Sequence, residues 1–319
     1  MKIIIFDVGN AACSVISSPN KYGLMVDCGS HTEKDNPVDL LKENGIKKWL
    51  ELQDYTTQQG KNYKLGLLHI THPDDDHVRN AKKVKEEFEP YLLHKREFEE
   101  FPDGDKINVD YKEYIDKKYR GSNPETIHWG FEINKVFKIP MNILKTNDDL
   151  RKKLRNNASI LRYIKYNGIK ILFTGDLEKE GWDWLIENDK TFVSYLEDGL
   201  DILIAPHHGH KSGFPKPLFD VIGNVKVVIH SKGSEGNIEG TDVATQYSNY
   251  SYGIIYKNLN DEDCYFGKVL TTRSNGHIFI EVANNSFNVY TVKASSNHKK
   301  VNCWNNPVAN NVYKALGDK

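Results

Sequence analysis

The sequence predicts an α/β protein of two β-sheets with helices on their outer faces, and three observations carry that expectation. Runs rich in Ile, Val and Leu, bounded by Gly, Pro, Asn or Asp, read as buried strands. Segments of helical apolar spacing lie between several of them. Four strand-like runs end directly in polar residues of matching chemistry, VDCG, ITHPDDDH, FTGD and APHHGH. In layered α/β folds, sites collect where such strand-end loops converge.

Taken in order, KIIIFDV, CSVISS and YGLMVDCG open the chain as strands. PVDLLKENGIKKWLELQDY follows with helical spacing, capped by Asp35 or Asn36. The strand LGLLHITH then runs into an acidic cluster and the helical segment HVRNAKKVKEEF. Residues 86–135 are dense in charge and aromatic rings with weak periodicity, and are expected to form an insertion or lid. NDDLRKKLRN is a short charged helix, ASILRYIKY and IKILFTGD are strands, and DLEKEGWDWLIEN is a helix after GD. DILIAPHH, VKVVIHS and HIFIEV complete the strands. One domain over residues 1–290 and a tail over 291–319 is the expected organisation.

Composition narrows the function classes. With 319 residues, 39% hydrophobic and 27% charged, the chain suits a globular protein with an ample core. A net charge of −1 gives no general attraction to nucleic acid or membrane, so any basic groove must be local. No apolar run approaches the roughly 20 residues of a membrane span. The start MKIIIFDVGN meets Asp7 too early for a secretory signal, and a cytoplasmic location with no membrane association is expected. Cys13, Cys28, Cys264 and Cys303 contain no CxxC pair, which suggests neither a zinc ribbon nor a disulfide scaffold. Cys13 and Cys28 fall opposite each other if residues 11–28 form a hairpin, and packed thiols are the expected state.

The stretch THPDDDHVRN places His72, Asp74, Asp75, Asp76 and His77 within six residues. Adjacent carboxylates repel, and burying them is costly without a cation. A solvated helix start is the bland alternative, since Asp favours helix N-termini. Imidazole and carboxylate suit Zn²⁺ or Mn²⁺. A two-ion site also needs a bridging carboxylate from elsewhere, for which Asp176 in FTGD is the candidate, and a further imidazole from His207 or His208. Three carboxylates against two divalent ions leave net positive charge for a bound hydroxide and an anionic substrate. His69 reads as core by strand alternation, and His230 as a strand histidine.

FDVGNAACSVI, MVDCGS, THPDDDH, NNASILRYI, ILFTGDLE and APHHGHKSG, in this order, resemble the metallo-β-lactamase fold. Within it they look most like the hydrolase domain of the competence protein ComEC and its stand-alone relatives. The resemblance runs from about residue 3 to 282, outside 86–135. It implies an αββα sandwich of two mixed sheets and a binuclear hydrolase with two divalent ions, Zn²⁺ or Mn²⁺. Mapped onto this chain, His72 and Asp74 would bind one ion, Asp76 and His77 the other, with Asp176 bridging and His207 or His208 completing the set. Asp27 would orient ligands from behind, and Asn157 stands where other branches supply a histidine. Asp76, Asp176 and His208 would carry the chemistry through a metal-bound hydroxide, and His210, Lys211 and Ser212 are candidates to contact a phosphate.

A phosphodiesterase or nuclease, with nucleic acid or another phosphodiester as substrate, is the leading expectation. A hydrolase of a small phosphodiester, phosphocholine ester or lactone keeps the same metals. A regulatory interaction module with an intact site is the reading from a different class. A basic, aromatic-lined groove would favour nucleic acid, and a closed apolar pocket a small substrate.

Overall fold

Alternation within single strands sets the layers. In the strand Lys2–Ile5, Ile3 and Ile5 pack into one apolar cluster while Ile4 packs into another. Leu67 and Leu68, Ile171 and Leu172, Ile202 and Leu203, and Ile229 and Val228 divide the same way. The cluster of Ile3, Ile5, Leu67, Ile171, Ile202 and Ile229 draws on both sheets and forms the layer between them. The opposite faces are covered by helices. Trp49 of the helix Asn44–Leu50 meets Phe279 edge-on. Phe192 and Tyr195 of the helix Lys190–Leu196 meet Phe137 and Tyr163. The predicted sandwich of two mixed sheets with outer helices is therefore the observed architecture.

The computed structural model describes residues 1–57, 60–97, 101, 107–115, 127–233 and 243–303. The larger sheet has ten strands in the order Lys299–Val301, Cys264–Gly267, Ile254–Asn258, Ser286–Thr291, Ile278–Ala283, Lys2–Ile5, Ser14–Ser17, Gly23–Val26, Leu65–His69 and Leu92–His94. The second has six, in the order Val269–Thr271, Val227–His230, Ile202–Ile204, Ile169–Phe173, Leu161–Tyr166 and Ile133–Phe137. Among the described residues, no helix is long and apolar enough to cross a membrane.

Three expectations need correction. The edges of the segment 86–135 are not an insertion: Leu92–His94 pairs in parallel with Leu65–His69, and Ile133–Phe137 pairs with Leu161–Tyr166. Both strands are too short or too mixed in polarity to stand out from sequence. Residues 98–100, 102–106 and 116–126 lie outside the described residues. The start of the expected tail is sheet structure, because Lys299–Val301 adds an edge strand against Cys264–Gly267, whereas 304–319 lie outside the described residues. The same pairing joins Cys264 to Cys303 in a disulfide across 39 residues, which spacing alone does not suggest. Cys13 and Cys28 are buried free thiols.

Strand direction brings the polar motifs to one rim. Gly23–Val26 and Leu65–His69 run parallel in the larger sheet. Ile169–Phe173, Ile202–Ile204 and Val227–His230 run parallel in the smaller one. Their C-terminal ends lead into Asp27, the 71–77 loop, Asp176, His207–His208 and Ser231. Backbone bonds stitch the rim, from Ile160 N–H to the Thr71 carbonyl at 2.9 Å across the sheets and from His207 N–H to the Gly175 carbonyl at 3.0 Å within the smaller one.

Candidate metal centre

Two close approaches make the centre possible. A β-carbon on Gly29 would stand 1.6 Å from the Asp76 carbonyl oxygen, so only glycine lets the loop carrying Asp76 and His77 pack here. Gly175, at φ +56°, sits against Thr71 and Ser159 and turns the chain so that Asp176 faces the 71–77 loop. Asp27, His207 and His208 also hold left-handed backbone, at φ 56°, 50° and 53°. Such conformations cost free energy for residues with side chains and cluster at functional sites.

Ligand atoms of Asp76, His77, Asp176 and His208 all lie within 4.8 Å of one another. His77 Nε2 is 3.1 Å from Asp176 Oδ1, and His208 Nε2 is 3.2 Å from Asp76 Oδ2 and 3.7 Å from Asp176 Oδ2. A second set surrounds Asp176 Oδ2: His72 Nε2 at 3.8 Å, itself 3.7 Å from Asp74 Oδ2, and His207 Nε2 at 3.7 Å. Asp176 stands between the two sets. Both His207 and His208 therefore approach it, and His208 is the one gathered into the four-residue cluster.

Outer partners fix the imidazoles. His77 Nδ1 meets Asp27 Oδ2 at 2.8 Å, and Asp27 is held by the Thr71 amide and hydroxyl, each at 2.8 Å. His208 Nδ1 donates to the Ser231 carbonyl at 2.7 Å. With the protons on Nδ1, each ring turns its Nε2 lone pair inward. Nε2 of His72 is buried without a hydrogen-bond partner, and Nε2 of His77 makes no well-aligned hydrogen bond and faces only the Asp176 carboxylate. Such orphaned acceptors are costly unless something occupies them. A cavity of about 30 Å³ adjoins His77, where Asp27, Thr71, Asp176, His208 and Ser231 meet the apolar Val26, Phe173 and Ile204.

The electrostatics follow from burial against carboxylates. Burial alone would lower His77, but Asp176, Asp27 and Asp76 raise it well above its ordinary value. Burial would raise Asp176, yet His77, His208 and His72 hold it well below the usual carboxylate range. At Asp76 burial is likewise outweighed by His77 and His208, and its carboxyl is lowered. His72 is lowered by burial and by its neighbour His77. The carboxylates of Asp27, Asp74, Asp76 and Asp176 thus create a field that attracts positive charge.

Two residues that the sequence reading missed, Arg155 and Glu178, shape the centre. Arg155 Nη1 pairs with Asp74 Oδ1 at 3.1 Å, leaving the other oxygen toward His72. Glu178, two residues past Asp176, lies 3.4 Å from His207 Nδ1 and accepts from Asn156 Nδ2 at 2.8 Å. Asn157 spends both polar groups on backbone, donating to the Leu150 carbonyl and accepting from the Glu178 amide. It braces Glu178 instead of facing the cluster. Ser212 lies between two rings, its hydroxyl 3.0 Å from His207 Nδ1 and 2.9 Å from His210 Nδ1, while Lys211 is exposed beside them.

No family model matches the sequence, and no curated protein matches it. Solved structures of similar shape include Zn²⁺-bound PqqB from Methylobacterium extorquens, at 9% identity and TM-score 0.49 over 88% of this chain and 100% of that one. The metallo-β-lactamase fold protein YhfI from Bacillus subtilis has 12% identity and TM-score 0.44 over the same shares. The short form of human tRNase Z has 13% identity and TM-score 0.37, over 76% of this chain and 97% of that one. At these values the likenesses carry no functional weight, which rests on the site itself.

Proposed function

We propose that this protein is a metal-dependent hydrolase of phosphodiesters with two divalent ions per chain, of the metallo-β-lactamase kind and nearest the ComEC-like branch. The gathering of Asp76, His77, Asp176 and His208 within 4.8 Å carries the reading. The donor set fits an ion. Ligands about 2.0–2.2 Å from a tetrahedral ion stand about 3.3–3.6 Å from one another, and the histidine–carboxylate contacts here run from 3.1 to 3.8 Å within a cluster that spans up to 4.8 Å. The Nε2 atoms of His72 and His77 are the acceptors such an ion would take up.

Asp76, His77 and His208 would hold one ion, His72 and Asp74 the other, and Asp176 would serve both. His207 lies within reach of the shared carboxylate. Zn²⁺ or Mn²⁺ suits these imidazoles better than Mg²⁺, which prefers oxygen and keeps its water. When bound, the ions supply Lewis-acid polarisation and a nucleophile at neutral pH. The chain's own residues do the positioning. Asp27 and the Ser231 carbonyl set the ring planes of His77 and His208, and Glu178 with Ser212 holds His207 at the mouth. Lys211, exposed beside His207, would meet an anionic substrate.

The test compares Zn²⁺- and Mn²⁺-loaded protein on bis-p-nitrophenyl phosphate, single-stranded DNA and a lactone at equal metal content. Hydrolysis of the diesters supports the reading. Fast lactone opening with no diester cleavage overturns the substrate and leaves the metal centre standing.

A further inference from the structure

A second, wider groove lies apart from the metal cavity. It holds about 480 Å³ along the edge strand Val269–Thr271, between the helix Ala244–Ser248 and the pair of strands that the disulfide joins. Lys232, Lys268, Arg273 and Lys299 line it, and no Asp or Glu is among its described lining residues. Lys268, Arg273 and Lys299 are exposed, and among the described residues none of the three pairs with a carboxylate. Three exposed cations without a carboxylate partner among the described residues are a local excess in a chain of net charge −1.

The groove also presents an aromatic face. Phe266 lines it with its ring 38% exposed, open to a flat partner. Gly253 packs beneath that ring, where a β-carbon would approach its edge to 2.3 Å, so the backbone fixes the ring from behind. Small polar groups, Thr245, Ser274, Asn275 and Asn297, fill the spaces between the cations.

Its position ties it to the metal centre. The carbonyl of Ser231 orients His208, and Lys232, the next residue, lines the groove. Its amide donates to the Thr272 hydroxyl at 2.8 Å, fixing the groove wall to the rim of the centre. Thr271, which lines the groove, ends an edge strand parallel to Val227–His230, so this part of the groove wall lies at the same sheet rim as the ligands.

We propose that this groove binds the nucleic-acid strand flanking the scissile phosphodiester, with Lys268, Arg273 and Lys299 on its phosphates and a base stacked on Phe266. The proposal rests on the phosphodiesterase reading of the metal centre. Cations tracking a backbone with an aromatic platform between them are the chemistry of single-strand binding. A small ester would need neither the length of the groove nor its charge.

The test measures fluorescence anisotropy of a labelled, phosphorothioate-linked single-stranded oligodeoxynucleotide with Zn²⁺-loaded full-length protein across a salt series. In Lys268→Glu/Arg273→Glu the affinity should fall at least about tenfold. The slope of log K against log salt should flatten by about 1.4, since each single-strand phosphate contact contributes about 0.7. Phe266→Ala should weaken binding by at least about fivefold and leave the slope unchanged, as loss of stacking predicts. Turnover of bis-p-nitrophenyl phosphate should be unaffected in every variant, which also reports that each has folded. Wild-type affinity and slope in the charge-reversal variant would overturn the proposal, as would equal binding of 5′-AMP and the oligonucleotide. If no diester is cleaved by any form, the phosphodiesterase reading fails, while the anisotropy still decides whether the groove holds a strand.

Discussion

His69 and His72 stand three residues apart on the same strand end, yet they belong to opposite kinds of buried cluster. His69 stacks on His94 with ring centroids 5.0 Å apart and their Nδ1 atoms at 2.9 Å, and Arg162 approaches at 3.3 Å. Its Nε2 meets the Ile160 carbonyl at 3.1 Å. Burial and the Arg162 charge keep His69 well below its ordinary pKa, and burial with Arg162, Lys138 and Arg96 pushes His94 down to about 3. Around His72 and His77 the neighbours are Asp27, Asp74, Asp76 and Asp176. One cluster repels positive charge and satisfies its rings internally. The other attracts positive charge and leaves Nε2 atoms unfilled. A buried histidine is therefore a ligand candidate only in the company its folded neighbours supply.

The strongest way to break this contrast is to remove the shared carboxylate. Asp176→Ala should lose both ions and lower diester turnover by more than the 10–100-fold typical of outer partners. Metal content by elemental analysis and turnover at saturating substrate check it. Asp27→Asn keeps the shape but weakens the hold on His77 Nδ1, and should cost about 10–100-fold in metal affinity. A metal titration of the purified variant reads that directly. Asn157→Ala should do less than either, because Asn157 reaches the centre only through the Glu178 backbone. Loss of metal as complete as in Asp176→Ala would contradict that placement.

The other cluster should respond in stability alone. His94→Leu should retain full metal content and turnover while losing about 1–3 kcal/mol near neutral pH, because His69 Nδ1 loses a partner. The pH dependence has a definite sign. His94 is neutral in the fold down to about pH 3, whereas the unfolded chain takes up a proton below about 6.5. Between those values the unfolded state binds more protons, so the His94 contribution to stability falls as pH falls. By about pH 5 this term costs the wild type on the order of 2 kcal/mol, and the gap to His94→Leu should narrow accordingly. Urea midpoints measured from neutral pH to about pH 5 test it, and a gap that widens on acidification would refute the assignment.

Much of this was legible in the sequence because it is local. KIIIFDV, LGLLHITH, IKILFTGD and VKVVIHS announce their strands by composition, and all appear at the expected places. THPDDDH, FTGD and APHHGH announce the centre because a tight loop must supply ligands at short spacing. What stayed hidden is what only the fold assembles. Lys232, Lys268, Arg273 and Lys299 are scattered through the last third of the chain and meet only along one sheet edge. Arg155 and Glu178 lie beside recognised motifs, but their roles depend on side-chain direction across the rim. Cys303 reaches Cys264 only through a short edge strand that no periodicity marks.

Metal binding by the intact protein tests the central claim most directly. Zn²⁺ titration of the metal-stripped chain, followed by calorimetry, should give two ions per chain for the wild type and for His94→Leu, and no high-affinity site for Asp176→Ala. Undiminished binding in Asp176→Ala, or loss of binding in His94→Leu, would contradict the account.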